Sequence, residues 1–334
     1  MKGPAVEQSF PSPRVLVFGG GSVGLGLASC LVKAGAQVAI VAREATVTAL
    51  RTQGLQRTGM FGECWASPGQ FEAYLSAADA ATAPYDYILV CTKAFDTTRA
   101  ADELLAAPGV RSEATRFVLC QNGYGNYEVF TGHFPAQSVF IARIITGFTR
   151  QAPHIVEITV HAAPIRIGSP EPALGERVAD LCALVRRGGI PAEVSDTIVA
   201  DLWAKILYNV LLNALGAVFE VPYGALGHSA HGRRLMETLA AESFAVMAAV
   251  GARTHWDSPA AFMEAFHGTM LPPTAAHESS MLQDIRAGRR TEIDALNGAV
   301  VSLGRQAGVP TPCNAMVAEM VRFLENHRRQ TSGA

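Results

Sequence analysis

The sequence predicts an α/β domain followed by an all-helical domain. Near its start, an apolar run, a glycine-rich turn and a helical pattern follow one another. Apolar runs typical of buried parallel strands recur up to about residue 195, and helical periodicity without strand signals fills the rest. With 334 residues, of which 49% are hydrophobic, the chain can fill two cores. We therefore predict a disordered lead-in (1–13), an α/β domain (14–195), a helical domain (196–326) and a polar tail (327–334).

The glycine-rich turn has the spacing of a dinucleotide-binding motif. Residues 15–18 form an apolar run, and Gly19, Gly21 and Gly24 follow at G-x-G-x-x-G spacing. A helical pattern comes next, and residues 37–42 have the composition of a second buried strand. In this context such glycines let backbone N–H groups approach a pyrophosphate at a helix N-terminus. We therefore predict a Rossmann-type domain whose turn contacts the cofactor through Gly19, Gly20, Gly21, Ser22, Val23 and Gly24.

Arg43, which ends the second strand, bears on the choice of cofactor. An Asp or Glu at this place accepts a hydrogen bond from a free ribose 2′-OH, whereas a 2′-phosphate requires a cation. The planar guanidinium can pair with that phosphate, which favours NADPH over NADH. Two alternatives stay open: Arg43 is a solvated loop cation, or Glu44 turns toward the ribose and weakens the preference.

Two further polar residues follow predicted strands of the same domain. The patterns after Arg43 predict, in order, a helix (45–53), a hairpin or loop (54–66), a buried strand (85–92), a helix (96–106) and a strand (116–120). Lys93 follows the first of these strands and Asn122 the second. Ligands of open α/β sheets collect beyond the carboxyl ends of strands, so both residues are candidate ligand contacts. Considered alone, Lys93 is equally explained as a solvated lysine, and Asn122 as a turn-forming asparagine.

The strand pattern changes between residues 138 and 195. Alternating, β-branched segments over 138–168 follow closely without helices between them, which predicts antiparallel strands that extend the sheet. A helix (174–187) and a short strand (191–194) come next. Strand signals vanish from Ser195 onward, so we place the domain boundary there.

Composition argues against several function classes. The net charge is -2 and no long basic run occurs, so a nucleic-acid surface is not expected. The richest apolar run, 206–219, is too short to span a bilayer. His228 and His231 lack a third ligand nearby, so we expect no metal site. The six cysteines form no C-x-x-C pair and the N-terminus lacks an apolar secretion segment, which together favour the cytoplasm. Apolar helices in the second half leave room for a homodimer.

A polar stripe crosses the most apolar predicted helix. Lys205, Asn209 and Asn213 recur at every fourth residue and therefore share one helix face. Lysine and asparagine are costly to bury without partners, so we interpret the stripe as functional rather than as a narrow solvated face. Burial would lower the pKa of Lys205, whereas a nearby carboxylate would keep it charged.

A second cluster lies in residues 277–298. Ser280 precedes a predicted helix over 281–287, Gly288 breaks it, and Thr291 with Asp294 at capping-box distance predicts a new helix. The break would let Ser280 and Glu292 reach one cleft, since on a straight helix they would lie about 18 Å apart. From periodicity alone, Ser280 can equally be a helix cap and Glu292 a first-turn carboxylate.

Together these motifs resemble the ketopantoate reductase (2-dehydropantoate 2-reductase) family over nearly the whole chain. The resemblance rests on the glycine turn with Arg43, Cys91-Thr92-Lys93-Ala94, Gln121-Asn122-Gly123, the Lys205 stripe and the run SSMLQDIRAGRRTEIDALNG. It implies a helical domain like the C-terminal domain of 6-phosphogluconate dehydrogenase. It also implies that Lys205 and Glu292 are catalytic, that Asn122, Asn209, Asn213 and Ser280 bind substrate, and that the turn, Arg43, Lys93 and Asn122 bind the cofactor.

The resemblance implies a reaction as well. The family reduces the 2-keto group of ketopantoate with NADPH to give (R)-pantoate for coenzyme A synthesis. Lys205 as an ammonium can stabilise and protonate the developing oxyanion. Tyr124 and Tyr127 beside Asn122 are bulky, which leaves open a reductase for another large 2-oxo acid. A non-catalytic dinucleotide sensor is a third hypothesis, although a sensor does not require Lys205 as a proton donor.

Overall fold

A large sheet and a smaller one form the first half of the protein, and helices form the second. The computed structural model describes residues 12–332. The strands are β1 (Arg14–Phe18), β2 (Gln37–Val41), β3 (Leu55–Gly59), β4 (Cys64–Ala66), β5 (Glu72–Tyr74), β6 (Tyr87–Val90), β7 (Arg116–Leu119), β8 (Val139–Arg143), β9 (Thr146–Ala152), β10 (Ile155–His161), β11 (Ile165–Gly168) and β12 (Ala192–Val194). The helices are α1 (Ser22–Lys33), α2 (Glu44–Gln53), α3 (Thr97–Ala106), α4 (Asn126–Thr131), α5 (Ala179–Arg187), α6 (Ile198–Phe219), α7 (Tyr223–His228), α8 (Ala230–Ala249), α9 (Pro259–Ala265), α10 (Ser280–Arg286), α11 (Asn297–Ala307) and α12 (Pro312–Ser332).

The large sheet is mostly parallel and has the order β12-β11-β8-β7-β6-β1-β2-β5. From β8 to β5 all neighbours run parallel, while β11 is antiparallel to β8. Apart from the first residues of β1 and β7, the inner strands β1, β6 and β7 are buried, which explains their continuous apolar sequences. The carboxyl ends of β1, β2, β6, β7 and β8 therefore meet at one edge of the sheet.

The expectation that residues 138–168 extend this sheet is wrong for half of that stretch. β8 and β11 join the large sheet, but β9 and β10 form a second sheet of order β4-β3-β10-β9 with the hairpin β3–β4. The alternation of buried and more exposed residues along β10 explains why this strand lies in the second sheet. In β10 only Val156 and Ile158 are buried, so this strand has one apolar face and suits an outer layer. The hairpin itself was predicted and is confirmed, whereas the short strand β5 carries no apolar run and was missed.

Helix α1 lies between the two sheets. It contacts β1 and β2 on one side and β3, β4, β9 and β10 on the other. Residues Gly24 to Leu31 are all buried in consequence. At Gly26 the approach is so close that an added Cβ would lie 2.4 Å from the Phe148 ring of β9. The second sheet thus fixes the helix that follows the glycine turn.

Helix α6 is the centre of the helical domain. It packs against α8, α10 and α12 and also touches β8 of the large sheet. By length and composition it could span a membrane, but 61% of its most apolar window is buried inside the fold. Helix α12 runs to Ser332, through most of the residues predicted to form a polar tail. The α/β and helical domains match the predicted fold class, while the domain bounds stay a prediction; residues 1–11 of the lead-in lie outside the described part.

Candidate active site

The glycine turn after β1 is closed by contacts that exclude side chains. Gly19 has a φ of +117°, and an added Cβ would lie 2.7 Å from the carbonyl carbon of Cys91. A Cβ at Gly24 would lie 1.9 Å from the carbonyl oxygen of Gly19. The Gly19 N–H donates to Val41 O at 2.9 Å, which joins the turn to the end of β2. Both glycines are therefore required by the turn itself.

Gly21 differs from its neighbours because it faces open space. It is the N-cap of α1, no side chain caps that end, and an added Cβ would meet nothing within 4 Å. The first N–H groups of an α-helix have no partner within the helix, so those of Ser22 and Val23 can bind an anion. Gly20 packs against Ala42 instead. This open cradle of backbone donors fits the pyrophosphate of a dinucleotide.

Arg43 lies at the carboxyl end of β2, at the N-cap position of α2. Its side chain is exposed, and within residues 12–332 it forms no ion pair. The guanidinium is therefore available to an anion bound beside the turn. Glu44 is the first residue of α2 and is also exposed.

Lys93 joins the two domains. Its Nζ lies 2.7 Å from Asp284 Oδ2 and 3.5 Å from Glu292 Oε2, and both carboxylates are buried. Burial alone would lower the pKa of Lys93, but these two carboxylates raise it above its usual value. Nearby, the Tyr124 N–H donates to Ala295 O at 2.9 Å. Asp284 was missed by sequence reasoning, because its partner lies 191 residues away.

Glu292 faces the ends of two strands. Its Oε1 accepts from the Ala94 N–H at 3.1 Å, and its Oε2 accepts from Asn122 Nδ2 at 3.1 Å. Asn122, predicted to bind substrate and cofactor, thus has a carboxylate partner in this structure. Within the described residues no hydrogen bond joins Glu292 to Lys205. The carboxylate nevertheless raises the pKa of that lysine through its charge.

The local structure around Glu292 departs from the predicted helix start. Gly288 has a φ of +63° and follows the end of α10, as its sequence suggests. Thr291 Oγ1 accepts from the Ile293 N–H at 3.3 Å, but a single 3-10 turn follows and α11 begins only at Asn297. Asp294 pairs with Arg322 at 2.7 Å, so the predicted capping box is wrong. The Thr291 N–H, which Asp294 would accept from in a capping box, donates to Glu325 Oε1 at 2.7 Å instead.

Lys205 and Asn209 are the free members of the α6 stripe. Lys205 is partly buried, and within residues 12–332 neither its Nζ nor the Asn209 amide has a hydrogen-bond partner. The pKa of Lys205 is lowered to about 8, because burial is the largest cause, the charge of Glu292 only partly opposes it and the charge of Arg143 adds to it. A lysine with this pKa can release its proton near neutral pH. Two polar groups, one turn apart, are thus available to a ligand.

Asn213, the third member of the stripe, ties α6 to α10. Its Oδ1 accepts from the Met281 N–H at 3.1 Å, and its Nδ2 donates to Ser280 Oγ at 3.4 Å. Ser280 is the first residue of α10 and is exposed, whereas Ser279 is the N-cap and accepts from the Leu282 N–H at 2.9 Å. The helix start predicted at residue 281 is therefore one residue late.

The stripe has a fourth member that sequence reasoning missed. Asp201 lies one turn before Lys205 and is buried. It binds Arg166 at 2.7 Å, His255 at 2.9 Å and Ser195 Oγ at 2.6 Å. The pKa of Asp201 is low because these donors outweigh the burial that would raise it. This network anchors the start of α6 to the large sheet.

Arg143, at the carboxyl end of β8, is a second buried cation near Lys205. Its Nη2 lies 4.0 Å from Asp201 Oδ1, and its buried Nη1 has no partner among the described residues. Burial is the main reason that its pKa is lowered. The sequence signal that could have identified Arg143 is the one used for Lys93, namely a cation at the end of an apolar strand.

A cavity of about 220 Å³ lies beside this edge, between the ends of β7 and β8 and the start of α6. Its aromatic wall includes Tyr124, Tyr127 and Trp203, with the rings of Tyr124 and Trp203 5.5 Å apart. Within the described residues no group of three or more metal-ligating side chains occurs. The assembled site thus offers an anion cradle, a free lysine and an adjacent aromatic cavity.

Two models of one protein family match this chain. The family model of ketopantoate reductase PanE/ApbA matches residues 15–172, and the model of its C-terminal domain matches residues 197–325. The 2-dehydropantoate 2-reductase of Aquifex aeolicus is 33% identical over 317 residues, which cover 93% of this chain and 97% of the relative. That of Halobacterium salinarum is 30% identical over 315 residues, covering 93% and 99%.

Solved structures share the fold. A PanE/ApbA family ketopantoate reductase from Ralstonia eutropha JMP134 matches with a TM-score of 0.81 and 27% identity, covering 95% of this chain and 99% of that one. D-mandelate dehydrogenase with NADH and anilino(oxo)acetate matches with a TM-score of 0.84, 94% and 99% coverage and 21% identity, which concerns the fold alone. The matches to both halves of the chain and the identity to curated relatives lead to one conclusion: this chain belongs to the ketopantoate reductase PanE/ApbA family of oxidoreductases.

Proposed function

We propose that this chain uses NADPH to reduce ketopantoate to (R)-pantoate in pantothenate and coenzyme A biosynthesis. The observation that carries the proposal is Lys205, which has no hydrogen-bond partner among residues 12–332 and a pKa of about 8, and which lies on the helix α6 that also touches the large sheet. Relatives that match nearly the whole chain are named 2-dehydropantoate 2-reductase, and this name is the basis for the proposed substrate. Six free cysteines suit the reducing cytoplasm, where we place the protein. A homodimer stays a prediction.

The proposed mechanism assigns Lys205 the role of proton donor. The bound cofactor supplies the hydride that reduces C2 of the keto acid. Lys205 as an ammonium stabilises the negative charge on the former carbonyl oxygen and then protonates it. Asn209 orients that oxygen from one turn along α6, and Ser280 binds the carboxylate or hydroxyl of the substrate. Lys93, held by Asp284 and Glu292, closes the cleft against water.

Glu292 and Arg143 tune the proton donor in opposite directions. Because Arg143 lowers the pKa of Lys205 and Glu292 raises it, Arg143→Met should raise this pKa and Glu292→Gln should lower it. The active form is the ammonium, so kcat falls as pH rises through the pKa. We expect the alkaline limb of the pH profile to move up by about one pH unit in Arg143→Met and down by a similar amount in Glu292→Gln.

Steady-state rates across pH 6–10, an interval that extends roughly one unit beyond the shifted pKa values on either side, test this expectation. Asp294→Asn is the matched control, since it removes an acid of the same segment that pairs with Arg322. Its profile should follow that of the unaltered protein. Shifts of equal sign in both variants would exclude a charge effect on Lys205.

The preference for NADPH is proposed to depend on Arg43. Arg43→Ala should weaken NADPH binding by about 10- to 100-fold, since one or two hydrogen bonds to a charged group are lost, and should leave NADH binding nearly unchanged. Fluorescence titration of both cofactors measures this difference. Arg99→Ala is the control, because it removes an exposed cation of α3 that pairs with Asp96. Equal losses for NADPH and NADH in Arg43→Ala would show that the 2′-phosphate is bound elsewhere.

A second candidate function keeps the mechanism but changes the substrate. The aromatic cavity around Tyr124 and Trp203 favours a larger 2-oxo acid than ketopantoate. NADPH oxidation with a panel of 2-oxo acids separates the two candidates. Turnover that is fastest with ketopantoate supports the first, whereas turnover only with an aryl or long-chain 2-oxo acid supports the second. Tight NADPH binding without turnover of any of them would favour a sensor.

A further inference from the structure

The aromatic cavity of about 220 Å³ has no cation among its lining residues. Its polar lining residues are Gln121, Tyr124, Asn126, Tyr127 and Glu128, and the others are apolar residues or glycines. Within the described part of the chain no Lys, Arg or His lines it. A carboxylate that enters this cavity would therefore lose hydration without gaining a counter-charge, which is costly.

Glu128 adds a negative charge to the wall of this cavity. It lies in the first turn of α4, it is exposed, and within residues 12–332 it forms no ion pair. Burial raises the pKa of Tyr127, whose ring lines the cavity, and the charges of Glu128 and Glu171 add to that effect. Glu171 is exposed and directly follows Pro170, another lining residue. Two carboxylates thus act on the same wall.

Gln121 contributes an unpaired acceptor to the lining. Only 6% of this residue is exposed. Its Nε2 donates to Thr97 Oγ1 at 2.8 Å and to Thr92 Oγ1 at 3.1 Å. Its Oε1 is buried and has no hydrogen-bond partner among the described residues. Such an oxygen can accept a hydrogen bond from a hydroxyl, but it cannot stabilise a carboxylate.

The cavity adjoins the reacting groups from two sides. Leu202 lines it, and Lys205 lies three residues further along α6, so the two side chains are neighbours on the helix surface. Gln121 lines it as well, and the next residue, Asn122, donates to Glu292 at 3.1 Å. A 2-oxo acid whose C2 lies at Lys205 can therefore extend its side chain into the cavity.

Arg143 does not supply the missing counter-charge. It lies two residues after Ile141, which lines the cavity, but it is not itself part of the lining. Its Nη2 lies 4.0 Å from Asp201 Oδ1, and Asp201 also pairs with Arg166 at 2.7 Å. The positive charges of this network are thus directed toward Asp201.

We propose that the cavity takes the side chain of the 2-oxo acid, and that Glu128 and the unpaired oxygen of Gln121 restrict it to uncharged side chains. Dicarboxylic 2-oxo acids are then rejected, because their second carboxylate meets acceptors and a like charge. A hydroxyl such as that of ketopantoate is accepted, since it can donate to Gln121. The proposal rests on the proposed function only for the substrate class, a 2-oxo acid.

Two 2-oxo acids of nearly equal shape test the proposal without turnover. 4-Methyl-2-oxopentanoate has an isopropyl group where oxaloacetate has its second carboxylate. Isothermal titration of both acids, and of ketopantoate, is carried out on the full chain saturated with NADP⁺. We expect 4-methyl-2-oxopentanoate to bind about tenfold or more tightly than oxaloacetate.

Variants of Glu128 test its part in this preference. Glu128→Gln should reduce the ratio of the two affinities about two- to fivefold, the range for an exposed charge, and Glu128→Lys should reduce it further. A general loss of structure weakens both acids alike and does not change the ratio. Glu113→Gln and Glu113→Lys are the matched controls, because Glu113 is exposed and precedes β7, at the strand end opposite to Gln121. They should leave the ratio unchanged.

Several results would overturn the proposal. Equal affinity for the two acids would show that the cavity admits a carboxylate, and tighter binding of oxaloacetate would assign it a counter-charge such as Arg143. An undiminished preference in both Glu128 variants would place the exclusion elsewhere. Binding of ketopantoate alone would show that charge does not decide what enters. These results leave the proposed function intact. Binding of 4-methyl-2-oxopentanoate without ketopantoate would refute the proposed substrate and not the exclusion, and binding of none would refute both.

Discussion

Replacing Lys205 by Met is expected to lower kcat by about 10²- to 10⁴-fold, the range of general acid catalysis. The Met side chain keeps the packing of α6 but cannot donate a proton to the reduced oxygen. NADPH affinity should change little, since the glycine turn and Arg43 lie in the other domain. Single-turnover kinetics and cofactor titration measure the two quantities separately.

Lys33→Met is the matched control for this variant. Lys33 ends α1, is exposed and lies outside the cleft, so its loss should leave kcat unchanged. Added alkylamines should restore part of the activity of Lys205→Met if the missing group is the ammonium. A rate close to that of the unaltered protein would remove Lys205 from the mechanism.

The second large effect is expected in the glycine turn. There Gly24→Ala should destabilise the fold, whereas Gly21→Ala should weaken only cofactor binding. In Gly24→Ala the new Cβ would lie 1.9 Å from the Gly19 carbonyl oxygen, and backbone cannot yield to it as a flexible side chain would. We expect a loss of about 1–3 kcal/mol or more in the free energy of unfolding. The turn should also lose its geometry, so that NADPH binding is abolished.

Gly21→Ala should instead leave the fold intact. The Cβ would meet nothing within 4 Å, and the backbone at Gly21, with φ of −81°, accommodates alanine. It would occupy the space where a pyrophosphate approaches the N-terminus of α1, so we expect NADPH affinity to fall about tenfold or more. Denaturant unfolding and cofactor titration of both variants provide the comparison. Full affinity in Gly21→Ala would place the pyrophosphate elsewhere.

Local patterns in the sequence were sufficient for much of the fold. The turn around Gly19 to Gly24 was readable because the spacing, the preceding strand and the following helix are all local. Lys93 and Asn122 could be placed at one sheet edge because parallel strands end on the same side. Lys205 and Asn209 were found because polar residues at four-residue spacing stand out on an apolar helix.

Contacts between distant segments were not readable. Asn122 and Lys93 were assigned to ligands, yet each contacts Glu292, from which Lys93 is separated by 199 residues. Arg143 was overlooked because a cation at the end of a strand is common, and only its burial beside Asp201 makes it unusual. The second sheet was missed because strand periodicity shows that a segment forms a strand but does not identify the strand with which it pairs.

The burial of α1 between two sheets affects how a nucleotide would bind. The helix cannot shift without displacing either the large sheet or β9, whose Phe148 ring fills the space at Gly26. The turn is therefore preorganised, and little conformational entropy remains to be lost when a ligand reaches it. Association at this point is limited by encounter and orientation rather than by a slow rearrangement of the protein.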